Sequence, residues 1–195
     1  MKLTSYTTIL IFFGTLLLFG CDVKKEEKLS LEKDFKTIEV ADLYSIKVPN
    51  YMTETESLND EASVQVWSIF KETYCIVIED VKEEFISTFK MIDLYDEDKS
   101  VLINYAEMQY AAMSENLEVL SETEMITTKI NGADAIMLSM DSDKSLSVPT
   151  EITYFLTFIE GKENIYLVLT WTLREKKHRY RDTFNKIANS FKLKK

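Results

Sequence analysis

Asn131-Gly132 separates two stretches in which apolar and polar residues alternate, Leu117 to Ile130 and Ala133 to Met140. Both residues of the pair accept positive φ, which a type I′ turn requires at its two central positions, so the sequence predicts an antiparallel hairpin here. A second hairpin is expected from Glu151 to Ile159 and Asn164 to Leu173, joined by Glu160-Gly161-Lys162-Glu163. The C-terminal half is therefore built by pairing strands that follow one another, which rules against an alternating parallel sheet.

The remaining elements follow from periodicity. Phe35 to Val40 and Leu43 to Val48 mix β-branched and aromatic residues with polar ones and stop at Pro49, and they are expected to open the sheet. A loop over Asn50 to Asn59 leads to strands Ser63 to Phe70 and Thr73 to Glu79, turned at Lys71-Glu72. The pattern then becomes helical, from Lys82 to Phe89 and from Lys99 to Asn116, with Asp96 or Asp98 as the expected cap of the longer helix. A closing helix from Arg174 to Phe191 gathers Tyr180, Phe184, Ile187, Ala188 and Phe191 on one face, which is expected to lie across the sheet. This order predicts an α+β fold, a mostly antiparallel sheet flanked by helices.

Ahead of these elements stands an apolar run, Ile9 to Phe19, preceded by Lys2 and followed by Gly20 and Cys21. Basic start, apolar middle and small-residue exit are the parts of a secretory leader. Gly14 and Thr15 interrupt the run, leaving it short of the roughly 18 apolar residues of a spanning helix. Leu18-Phe19-Gly20-Cys21 resembles a bacterial lipoprotein signal, in which signal peptidase II cuts before a cysteine carrying diacylglycerol. The resemblance implies a leader over residues 1–20, lipidation at Cys21 and a membrane held through that lipid. Asp22-Val23-Lys24-Lys25-Glu26-Glu27-Lys28 is too charged to bury surface, so residues 21–34 are expected to form a flexible tether and residues 35–195 a single domain. Lys25-Glu26-Glu27 also resembles the short signal that sends lipoproteins to the surface of the outer membrane. The outer membrane is the expected location, while surface exposure and a plain solvated linker both stay open as readings of this run.

Charge and cysteine content narrow the function. Losing residues 1–20 removes one lysine and no acid, which takes the net charge from −10 to −11. An acidic surface repels phosphate backbones, so nucleic acid is excluded as a partner. With Cys21 lipidated, Cys75 has no disulfide partner, and within Tyr74-Cys75-Ile76-Val77-Ile78 it is expected to pack as a small hydrophobe.

Catalytic and metal chemistry find few residues. The one histidine, His178, lies among Lys176, Lys177, Arg179 and Arg181 and is expected on an exposed helix face. A single histidine and a single free thiol are too few ligands for zinc. The acid-rich loops Asp93 to Asp98 and Asp141-Ser142-Asp143 do not follow the calcium-loop pattern, and no cofactor is expected. Glu79, Asp80, Glu83 and Glu84 are left as candidates for a carboxylate pair. Trp67, Trp171, Tyr110, Tyr154 and Tyr166 are candidates for an aromatic ligand or partner surface, since such side chains join large area to a polar tip. Alternation sends at least half of them into the core.

Tyr44-Ser45-Ile46-Lys47-Val48-Pro49 with Tyr51-Met52, the central helix, the Asn131-Gly132 hairpin, the strand Ile165 to Thr170 and the closing Phe184-Asn185-Lys186-Ile187-Ala188-Asn189-Ser190-Phe191 resemble the PsbP-like family, with DcrB and LpqN as related envelope proteins. The resemblance implies an α/β/α sandwich that serves as an accessory partner rather than a catalyst. The expectation is a non-enzymatic envelope lipoprotein that binds or helps assemble another envelope protein. The alternatives are a binder of a small lipid or nutrient, using a pocket between sheet and helix, and a carboxylate-based hydrolase.

Overall fold

The computed structural model describes residues 25–143 and 149–194. The expected leader and the lipidation position Cys21 lie outside the described residues. The elements in order are β1 (Phe35–Val40), β2 (Tyr44–Pro49), β3 (Thr53–Glu54), β4 (Ala62–Ser68), β5 (Thr73–Val81), α1 (Lys82–Met91), α2 (Val101–Ser114), β6 (Val119–Glu122), β7 (Ile126–Ile130), β8 (Ala133–Ser142), β9 (Ile152–Glu160), β10 (Asn164–Leu173), a 3-10 turn (Arg174–Lys176), α3 (Lys177–Ser190) and β11 (Lys192–Leu193).

Seven strands run in the order β3-β4-β5-β10-β9-β8-β6, with β7 also on β8, and every pairing is antiparallel. Of the two central strands, β5 is paired with β10 over its whole length, from Thr73 opposite Thr172 to Val81 opposite Asn164. Their side chains alternate between two cores. Cys75, Val77, Tyr166 and Val168 face one side, where Tyr180, Phe184 and Ile187 of α3 pack on them. Ile76, Leu167 and Leu169 face the other, under Phe85 of α1 and Leu102, Tyr105 and Ala106 of α2. The result is the expected α+β sandwich, with helices on both faces of an antiparallel sheet.

The Asn131-Gly132 turn has φ of 48° and 94°, both positive as a type I′ turn requires. Gly161 closes the second hairpin by donating to the Asn164 carbonyl at 2.9 Å. A Cβ there would stand 2.8 Å from that same oxygen, so the turn has no room for a side chain.

Four details depart from the sequence reading. β1 and β2 do not open the large sheet. They form a separate three-stranded sheet with β11, which follows α3 and pairs with β2 through Lys192 and Leu193. Leu117 to Ile130 is not one strand but two, because the ladder to β8 breaks after Thr123, whose amide donates to the Ser139 carbonyl while its hydroxyl, in place of its carbonyl, accepts from the Ser139 amide. The cap of α2 is Ser100, whose Oγ accepts from the Ile103 amide at 3.3 Å, since Asp96 and Asp98 sit too early.

The fourth concerns the stretch expected as a tether. From Glu27 onward it is bound to the domain. The Glu27 amide donates to the Arg179 carbonyl at 2.8 Å, and the Glu27 carboxylate accepts from the Tyr51 hydroxyl at 2.9 Å, the Thr183 hydroxyl at 3.0 Å and the Lys71 ammonium at 2.5 Å. Leu29 and Leu31 pack against the α3-side core. Composition alone reads these residues as solvated, but a carboxylate with three donors no longer needs water.

Candidate functional site

Cross-strand register places Trp67 opposite Tyr74, Tyr74 opposite Trp171 and Trp171 opposite Tyr154. Four aromatic side chains thus form one row across β4, β5, β10 and β9, on the α1/α2 side of the sheet. Tyr74 and Trp171 stack at 5.2 Å with 10° between their planes, and Tyr154 leans on Trp171 at 6.4 Å. All four are half-buried, because α1 and α2 pack on β5, β8 and β9 without closing over this corner. The row ends at β8, where Met140 is covered.

Of the residues singled out in sequence, Trp67, Trp171 and Tyr154 meet in this row, and Tyr110 lies half-buried on α2 over the same core. Tyr166 does not belong with them. It is 3% exposed on the opposite face, edge-on to Tyr44 at 5.3 Å and 5.1 Å from Phe191, and it is part of the core. It stands five residues before Trp171 on one strand, and an odd separation means opposite faces. Tyr74 was missed in sequence, although a hairpin of Ser63–Phe70 and Thr73–Glu79 pairs it with Trp67.

One rung beyond the row, the β4–β5 turn carries Ile69, 58% exposed, and Phe70, fully exposed. Glu72 closes the turn in the left-handed region at φ 55°, its amide donating to the Ile69 carbonyl at 3.2 Å. An ion pair with Lys176 holds the Glu72 carboxylate.

Behind the row, on the α3 side, Asp141 is 3% exposed and accepts from Thr153 at 2.5 Å, Lys177 at 2.6 Å, Ser121 at 2.9 Å and Arg174 at 3.3 Å. Burial alone would raise its pKa. The Lys177, Thr153 and Ser121 contacts outweigh that and hold it below the usual carboxylate range. This centre ties β6, β8 and β9 to the start of α3, and its lone pairs are taken by the protein's own donors.

Glu79 and Asp80 cannot act together, because adjacent strand residues point to opposite faces. Asp80 accepts from the Tyr105 hydroxyl at 2.5 Å on the α2 side. Glu79 lies on the other side, its Oε2 buried without a partner and its pKa raised by burial and by the charge of Asp80. Burial pushes the Cys75 thiol up to about 12, which suits a packing role, and His178 is exposed. Among the described residues no three His, Cys, Asp or Glu side chains converge as metal ligands, and no helix is long and apolar enough to cross a membrane.

A second feature is a groove of about 480 Å³ between α3 and the strands β7 to β10. Its lining includes Met137, Phe155, Phe184 and Arg181. Thr157 and Thr170, each 2% exposed, also line it.

No protein-family model matches the sequence, and no curated protein matches it. Solved structures do. The solution structure of cyanobacterial PsbP (CyanoP) from Synechocystis sp. PCC 6803 is similar with a TM-score of 0.53 at 11% identity, over 82% of this chain and 92% of that one. The crystal structure of LpqN, involved in cell envelope biogenesis of Mycobacterium tuberculosis, is similar with a TM-score of 0.53 at 10% identity, over 83% of this chain and 91% of that one. What this chain shares with them is the PsbP-like fold.

Proposed function

We propose that this protein is a cell-envelope lipoprotein, anchored through Cys21 in the outer membrane and exposed at the surface, whose domain is a non-enzymatic docking or assembly module for another envelope protein. The observation that carries the reading is the open row Trp67, Tyr74, Trp171 and Tyr154. Flat, half-buried aromatic area with polar edges on a rigid sheet is the composition of protein-interface centres, where truncating one anchor costs about 2 kcal/mol or more. It is open on one side, unlike the enclosed clefts that take small molecules. The fold shared with LpqN, a protein described as involved in cell envelope biogenesis, supports the compartment.

Affinity capture from detergent-solubilised membranes tests it, comparing the unaltered protein with a Trp67→Ala/Trp171→Ala variant whose thermal unfolding remains cooperative. A partner recovered with the first and lost with the second is expected. A partner retained by the variant would remove the row from the interaction.

A small-ligand function is the second reading, favoured by the α3 groove of about 480 Å³, which joins the apolar Met137, Phe155 and Phe184 to the hydroxyl-bearing Thr157 and Thr170. Thermal stabilisation by a metabolite or lipid that Thr157→Val/Thr170→Val abolishes would support it, since a ligand specific to the folded state raises the unfolding temperature. No stabilisation across lipid and metabolite panels would count against it.

A further inference from the structure

We infer that the β4–β5 turn, with Ile69 and Phe70, is a membrane contact that seats the domain on the lipid surface. This rests on the reading that Cys21 carries the anchor. Glu27 is six positions after Cys21, and at full extension those six steps span at most about 22 Å. Glu27 is fixed to the domain through Tyr51, Thr183, Lys71 and the Arg179 carbonyl. The end of the sheet that meets the membrane first is therefore the one beside Glu27, and Lys71, which grips Glu27, is the residue after Phe70.

The chemistry of that end fits a lipid interface. Phe70 is fully exposed and Ile69 is 58% exposed, at the tip of a hairpin rather than within a face. A large apolar side chain with cations close behind it can enter the acyl boundary while the cations stay among headgroups. Two carboxylates next to the tip are neutralised in a domain that is otherwise strongly acidic: Glu27 by Lys71 and Glu72 by Lys176. Arg179, beside Glu27 and exposed, makes no ion pair among the described residues. Removal of the acidic repulsion is what lets this end approach anionic lipid.

The test uses the full lipidated chain in vesicles of phosphatidylcholine and phosphatidylglycerol. An environment-sensitive fluorophore is placed through Phe70→Cys or, as the distal control, through Lys162→Cys. Cys75 is fully buried and stays unlabelled. Lys162 lies at the other end of the sheet, roughly 25 to 30 Å away along the strands. The label at position 70 is expected to brighten several-fold and to be quenched by brominated acyl chains, while that at position 162 behaves as in water.

Intact mass and vesicle flotation separate the two levels of failure. A chain that carries lipid and floats, with both labels equally exposed to water, overturns the membrane contact and leaves the anchor reading standing. A chain without lipid that fails to float, with position 70 in water, overturns the anchor reading and this inference with it. Shielding of position 70 in native membranes but not in pure lipid vesicles would mark a protein contact instead and also overturns the inference.

Discussion

Two aromatic groups lie on opposite faces of the same central strands and differ in what covers them. Tyr166 is enclosed with Tyr44 and Phe191 between β10, the small β1-β2-β11 sheet and α3. Trp171, five residues further along β10, stacks on Tyr74 beside Tyr154 and is left half-open. Residue type does not separate them. The first group is covered because β11 returns after α3 to pair with β2, closing a lid over Tyr44, whereas the α1/α2 layer stops short of the Trp67 corner. Coverage therefore assigns one group to stability and leaves the other free to serve as a surface.

Substitutions can break or sharpen that contrast. Phe191→Ala removes a fully buried ring from the closed group and is expected to cost about 3 to 5 kcal/mol in denaturant unfolding, without changing what the folded fraction binds. A loss near that of an exposed site would mean that the small sheet is not a firm lid. Next in size is Asp141→Asn, which leaves Lys177 and Arg174 facing a neutral amide. Both cations are partly exposed, so the cost should fall at the lower end of that for breaking a buried pair, about 3 kcal/mol.

The same carboxylate has a pH signature. A folded-state pKa below the unfolded one means that the unfolded chain binds the extra proton, so stability is present above about pH 4 and falls as pH drops through the folded pKa. Urea midpoints measured from pH 7 downward should lose this acid-side decline in Asp141→Asn.

Trp171→Ala is expected to cost only about 1 to 2 kcal/mol of stability, mostly its stacking on Tyr74 and partial burial, while abolishing partner capture. If its stability cost matched that of Phe191→Ala, the two groups would both be core and the contrast would vanish. The smallest effect belongs to Glu79→Gln. Glu79 has a raised pKa, so the folded state holds the extra proton and stability falls as pH rises from the unfolded value through the folded one. Replacing it should stabilise the protein slightly at pH 7 and flatten the decline that begins above about pH 4, read from the same urea series.

The open row was half legible in sequence, and the reason lies in the strand period. Trp67, Trp171 and Tyr154 stood out as aromatic residues in alternating runs, and the hairpins fix their register. Alternation also separates Tyr166 from Trp171, but it does not say which face a lid will cover. That depends on the pairing of Lys192 and Leu193 with a strand almost 150 positions earlier, Tyr44–Pro49, which no local pattern announces. The α3 face was fully legible, since Tyr180, Phe184, Ile187, Ala188 and Phe191 are all buried as their spacing requires. Glu27 was not. A charged run reads as solvated unless its partners are known, and Tyr51, Lys71 and Thr183 come from three distant parts of the chain.

The most direct measurement is site-specific photocrosslinking in intact cells, with the reactive side chain placed in turn at positions 67, 74, 154 and 171 and, as a control, at the exposed Glu83 on α1. One partner captured from the row positions and not from position 83 is the result expected of a docking surface. Equal labelling from all five positions, or a partner that appears only from position 83, would contradict it.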